Sequence, residues 1–300
     1  MFDALFDPIL PVFALLAVGF GLGRAGQVDI ADARLINRQA MTLFLPVLIF
    51  GLLANAPIEA FEPAPLLVYA GAELLLFAAG FALARKLLCR PGPEALLLAF
   101  CGMFANNALF ILPISLYLYG AEGALPVLSI VTLDSTLAFC GSMIALDLMT
   151  GGKVSGPKAL ARVLRLPIVL AMLGGLALAL SGFTLPAPVQ TFLDFTGAAA
   201  APMALFAMGV VLSRTAFAPT PAVVLFSFNK LVVFPVAVWA GLALFAAQSA
   251  TGSSYLLASA GPSGTMAFSM ALLYNQPTGE ISQIIVWTSV GTLFLLAVLA

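Results

Sequence analysis

The sequence predicts an all-α integral membrane protein of ten transmembrane helices, built as a five-plus-five inverted repeat. Three observations predict it. The 300 residues are 62% hydrophobic and 8% charged, with mean hydropathy +1.13. A soluble domain carries about 25% charged residues, so this chain belongs in lipid. Apolar runs of the roughly 20 residues needed to cross a bilayer recur from end to end. Residues that break or bend helices recur in the second half 156 positions after their first appearance.

Taken in order, the spans run over Pro8–Gly23, Leu35–Ala54, Ala64–Leu88, Ala95–Tyr119, Ala124–Met149, Val163–Ser181, Phe192–Leu212, Ala222–Ala247, Ser253–Asn275 and Ile281–Ala300. The longest polar interval, Thr150–Arg162, divides the chain near its middle. Residues 1–150 are therefore read as the first repeat and residues 151–300 as the second, within one membrane domain. With ten spans, Arg24, Arg34, Arg38, Arg85, Lys86, Arg90, Lys153, Lys158, Arg162, Arg165 and Arg214 all lie on one side, which the positive-inside rule makes cytoplasmic. Both termini then face away from the cytoplasm, across a cell (inner or plasma) membrane. The remaining basic residue, Lys230, falls inside span eight.

The repeat holds one register. Pro11 corresponds to Pro167, Gly19 to Gly175, Pro46 to Pro202, and Asn106-Asn107 to Pro262-Ser263. Glu73 corresponds to Asn229, beside Lys230. Five spans is an odd number, so the second copy inserts upside down relative to the first. That is the plan of many secondary transporters, whose substrate sites lie near the midplane between repeats.

Composition excludes much else. Net charge is −1, which gives no footing for nucleic acid. Cys89, Cys101 and Cys140 lie in or beside apolar spans and read as small core residues. There is no histidine, which removes the commonest metal ligand and general base. No pattern implies a metal, a cofactor or a catalytic residue. The segment MFDALFDP lacks a basic n-region, so no cleaved signal peptide is read there.

Two spans are interrupted. Span four carries Asn106, Asn107 and then Pro113; span nine carries Gly261, Pro262, Ser263, Gly264 and Thr265. Breaking a helix at this depth frees backbone N–H and C=O groups, which must line a cavity or be buried in protein. The functional reading is a substrate site, with carboxamides, hydroxyls and half-helix N-termini that suit a carboxylate. The bland reading is a proline kink in span four and close packing of small residues in span nine. Asp134, near the middle of span five, is a costly lone carboxylate. It reads either as a proton- or cation-coupling group or as a structural partner of Lys230. Glu73, Asn229 and Lys230 read as a supporting or a gating and coupling set. Asp147 and Asp194, nearer span ends, read as solvated or capping groups.

The segments LPVFALLAVGFGLGRAGQVD and LINRQAMTLFLPVLIFGLLA, with FANNALFILPISLYLYGAEG and AAAAPMALFAMGVVLS, resemble the auxin efflux carrier family. The resemblance covers essentially the whole chain. It implies the fold of bile-acid symporters and sodium/proton antiporters, with spans four and nine crossing where they break. It also implies transport of small organic anions such as malonate, malate or auxin-like acids. Two departures stand out: Ile111-Leu112 precede Pro113 where a glycine is common, and Asp134 stands where a neutral asparagine is frequent.

The expected function is a secondary transporter moving a small organic anion by alternating access. One bundle, spans three to five and eight to ten, carries the crossover. The other, spans one, two, six and seven, braces it and forms a homodimer. A proton, sodium or the membrane potential drives transport, and the remaining partner is membrane lipid. Within the same class, the alternatives are a sodium or other cation/proton antiporter and a sodium-coupled organic acid symporter. An intramembrane enzyme is the alternative from another class. The sequence holds no HExxH, no paired aspartyl motif and no histidine to serve it.

Overall fold

The computed structural model describes residues 3–56, 61–151, 164–214 and 219–299. Lys153, Lys158 and Arg162 of the basic interval lie outside the described residues. The described residues form helices and no strand: α1 (Asp3–Arg24), α2 (Ile30–Ala54), α3 (Pro63–Lys86), α4 (Gly92–Met103), α5 (Asn107–Gly120), α6 (Leu125–Met149), α7 (Pro167–Ser181), α8 (Ala187–Arg214), α9 (Pro221–Phe245), α10 (Gly252–Ser259), α11 (Met266–Leu273) and α12 (Gly279–Leu299). Five of them, α2, α3, α6, α8 and α9, are long and apolar enough to cross a membrane.

Local chemistry sets the ends. Pro63, Pro167 and Pro221 open α3, α7 and α9, where a missing N–H costs nothing. The Thr220 hydroxyl accepts from the Val223 N–H, and Asp29 and Asp32 form a reciprocal capping box at the start of α2. Arg24, Arg85, Lys86 and Arg214 close the last turns of their helices, where cations offset the negative end of the dipole. Gly120 ends α5 with φ +65°, a conformation other residues rarely adopt.

The chain resolves into two compact units, interleaved in sequence. The first takes Met1–Phe61, Ala108–Leu128 and Leu164–Thr215. Here α1 packs on α8, and α2 on α7. The α1–α8 contact needs small residues. A Cβ on Gly19 would stand 2.2 Å from the Phe206 carbonyl oxygen, and one on Gly209 would stand 2.2 Å from that of Leu16. Such spacing lets helix backbones touch in a membrane, where apolar burial alone gives no drive to associate.

The second unit takes Glu62–Asn107, Ser129–Val163 and Ala216–Ala300. Within it α3 packs on α4 and α9, and α4 also contacts α11 and α12. It holds spans three, eight, nine and ten, most of span five and the first half of span four. The expected grouping put all of span four here. Instead Ala108–Leu128 belongs to the first unit. The break before Asn107 uncouples the two halves of the span, so each can join a different bundle.

Candidate functional site

Span four stops at Met103, because Phe104 turns extended (φ −69°, ψ 117°). The helix resumes at Asn107 through a π-helical turn, Asn107–Ile111. Span nine stops at Ser259 and resumes at Met266. The two breaks bond to each other. The Asn106 N–H donates to the Pro262 carbonyl at 2.8 Å, and the Gly264 N–H donates to the Phe104 carbonyl at 3.0 Å. Ala105 and Ser263 thereby form an antiparallel bridge. Each break supplies what the other lacks, which is how backbone freed at depth escapes the cost of an unmade bond.

Side chains finish the accounting at the half-helix C-termini. The Cys101 carbonyl accepts from the Ser263 hydroxyl at 2.7 Å, and the Gly102 carbonyl from Asn229 Nδ2 at 3.2 Å. The Ser259 carbonyl accepts from Lys230 Nζ at 2.8 Å, and the Ala260 carbonyl from the Thr292 hydroxyl at 3.0 Å. The Ser263 N–H donates to the Thr288 hydroxyl at 3.0 Å. Gly264 is required by contact: a Cβ there would stand 2.5 Å from the Phe104 ring, which is stacked on Phe100 at 4.6 Å between centroids. Thus Pro262, Ser263 and Gly264 use their backbone, and Ser263 its hydroxyl, to hold the crossing. Thr265, half-buried, leads into α11, and Pro113 lies two residues beyond the π-helical segment, within the first unit.

The first break differs. Asn107 Nδ2 donates to the Tyr69 hydroxyl at 3.2 Å and to Asp134 Oδ2 at 3.4 Å. Asn106 Nδ2 and Asn107 Oδ1 are buried with no partner among the described residues. Asp134 and Glu73 lie close enough to interact, and Asp134 Oδ1 and Glu73 Oε1 are likewise buried with no partner among the described residues. The structure therefore brings Asn106, Asn107, Asp134 and Glu73 into one buried polar cluster.

Lys230 is fully buried and lies 4.7 Å from the Phe234 ring centroid. Among the described residues it forms no ion pair with Glu73 or Asp134. Its ammonium is held by the C-terminal carbonyl end of α10, where the helix dipole favours a cation. Asp147 accepts from the Tyr274 hydroxyl at 2.8 Å, and Asp194 from Gln190 at 2.8 Å. Three π-helical turns begin at candidate residues: Asn107, Asp134 and Asn229. Such turns are frequent at functional sites because they re-aim side chains within a helix.

Sequence reasoning missed Tyr69, Thr288 and Thr292. Tyr69 stands four residues before Glu73 on one helix face, and Thr288 and Thr292 share that spacing in span ten. Polar residues one turn apart in an apolar span were the available signal.

Comparison with known proteins places the chain in a family. A family profile described as "Membrane transport protein" matches residues 4–146 and 153–300. A protein of Rhizobium meliloti (strain 1021), named "Putative malonate transporter", is 30% identical over 243 residues, covering 79% of this chain and 76% of its own. With nearly the whole chain matched, this multi-pass membrane protein belongs to the auxin efflux carrier family of membrane transport proteins.

Proposed function

We propose that the chain is a secondary transporter that moves a small organic anion across the cell membrane by alternating access. The observation that carries this reading is the Asn106 carboxamide. It is a buried hydrogen-bond donor with no partner among the described residues, at the crossing of two broken helices. A buried donor left unmade costs about 1–3 kcal/mol, so such a group calls for an acceptor from outside. A carboxylate offers one, beside the N-terminal turn at Asn107. The relative's printed name makes malonate the first acid to try.

The ten-span inverted repeat is part of the same reading, and the bridge supports it. Asn106 stands opposite Pro262, its counterpart 156 residues on, so the local pairing maps onto itself under the repeat. The helix pairs of the first unit behave alike. Span one packs on span seven, and span six on span two, the exchange that the repeat requires. Both termini are then non-cytoplasmic, and the first unit serves as brace and dimer contact. The second unit, with both breaks, is the carrying bundle. The potential contributes about 2.3 kcal/mol per charge per 100 mV to moving an anion. Asp134 and Glu73 add a place for a coupled proton.

Purified protein in liposomes, on a solid-supported membrane, tests this with malonate, malate and monocarboxylates. A current for at least one acid, lost in Asn106→Ala, is the expected result. The second reading, a cation/proton antiporter, rests on the Glu73–Asp134 pair. Currents driven by pH or sodium alone, indifferent to every acid, would decide for it.

A further inference from the structure

An opening reaches Glu73 from the side of α3 and α6. It is a groove of about 360 Å³ within the second unit, between α3 and α6. Its walls include Leu74, Phe77, Met103, Leu137 and Gly141, and Glu73 is the acidic residue among them. Leu74 and Leu137 are 70% and 68% exposed, so the rim is open and apolar. Glu73 is 3% exposed, and its Oε1 has no partner among the described residues.

We propose that this groove is a binding site for a lipid-soluble aliphatic amine, whose ammonium head meets Glu73 and whose tail lies along α3 and α6. The volume falls within the roughly 300–1,000 Å³ of small-molecule sites. Charge selects the head. Two carboxyls, Glu73 and Asp134, neighbour one lysine, and that lysine is committed to the Ser259 carbonyl. An ammonium gives the free Glu73 oxygen a charge-assisted donor. Shape and polarity select the tail. A bare metal cation needs several oxygen ligands, whereas these walls are almost wholly aliphatic and aromatic. A lipid acyl chain would fill the walls but leave Oε1 unsatisfied.

The test uses the full chain in phosphatidylcholine nanodiscs and tritiated n-decylamine. The expected result is saturable binding above protein-free discs, displaced by octylamine and not by decanol. Glu73→Gln should weaken it about tenfold or more, the scale of a hydrogen bond to a charged group. Gly141→Leu is the second variant. A Cβ there meets no atom within 4 Å, so the larger side chain grows into the groove without disturbing packing, and it too should weaken binding about tenfold. This second variant keeps the test valid if Glu73→Gln fails to fold. Absence of saturable binding, equal displacement by decanol, or undiminished affinity in either folded variant would overturn the proposal.

Discussion

At the break of span four, two carboxamides enter the buried centre, and each keeps one polar atom with no partner among the described residues. At the break of span nine, Ser263 donates its hydroxyl to Cys101 and its N–H to Thr288, and Gly264 lies against Phe104. The backbones are used alike, each break bonding the other. The side chains are not. The two breaks divide the work: one braces, while the other keeps open valences. Backbones that pair alike need not carry side chains that act alike.

The sharpest way to break this comparison is Asn106→Ala. If the carboxamide serves the substrate, transport current falls by about tenfold or more, equivalent to at least about 1.4 kcal/mol of transition-state binding. The thermal midpoint of the purified protein stays put, because no intramolecular bond is lost. A fall in stability as large as that of Ser263→Ala would place Asn106 among the braces. Asp134→Asn comes next. It removes one of the two carboxyls able to share a proton. The expected outcome is a current several-fold lower that no longer varies with external pH; an unchanged pH profile would reject proton coupling at this pair.

Both breaks were legible because Asn, Gly and Pro stand out within apolar runs. What the residues could not tell was which polar groups would find partners. Ser263 and Asn106 look equally available in a sequence. Only the fold sets a carbonyl, freed by the end of α4, beside the Ser263 hydroxyl and leaves Asn106 Nδ2 with no partner among the described residues. Lys230 misled for a related reason. A buried cation suggests a carboxylate partner, yet the end of a half-helix is also a partial negative charge. The π-helical turns at Asn107, Asp134 and Asn229 left no mark, since one added residue per turn does not alter an almost uniformly apolar pattern.

The next variant approaches the comparison from the other side. Ser263→Ala leaves the Cys101 carbonyl without the hydroxyl that donates to it. Hydrogen bonds in membrane proteins average about 0.6 kcal/mol, with a maximum near 1.7 kcal/mol. A fully buried bond that closes a break belongs near the upper value. The midpoint for denaturation should drop accordingly, while the affinity for the transported acid stays the same. A weaker affinity at unchanged stability would make Ser263 a ligand and erase the division between the breaks.

The smallest effect is expected from Thr292→Val, which keeps the shape and removes one donor. Thr292 caps the Ala260 carbonyl at 3.0 Å, one residue beyond the carbonyl held by Lys230. Losing it should cost about the average 0.6 kcal/mol, because the last turn of α10 can tighten and share its remaining donors. Lys230→Met removes a charge-assisted bond from the neighbouring carbonyl, and the comparison of the two variants measures how much of the brace is electrostatic. If Thr292→Val proves as costly as Lys230→Met, geometry alone closes the second break. If the lysine dominates, the fully buried cation is kept for the helix end it neutralises, and the carboxyls of Glu73 and Asp134 are free to exchange a proton without breaking the crossing.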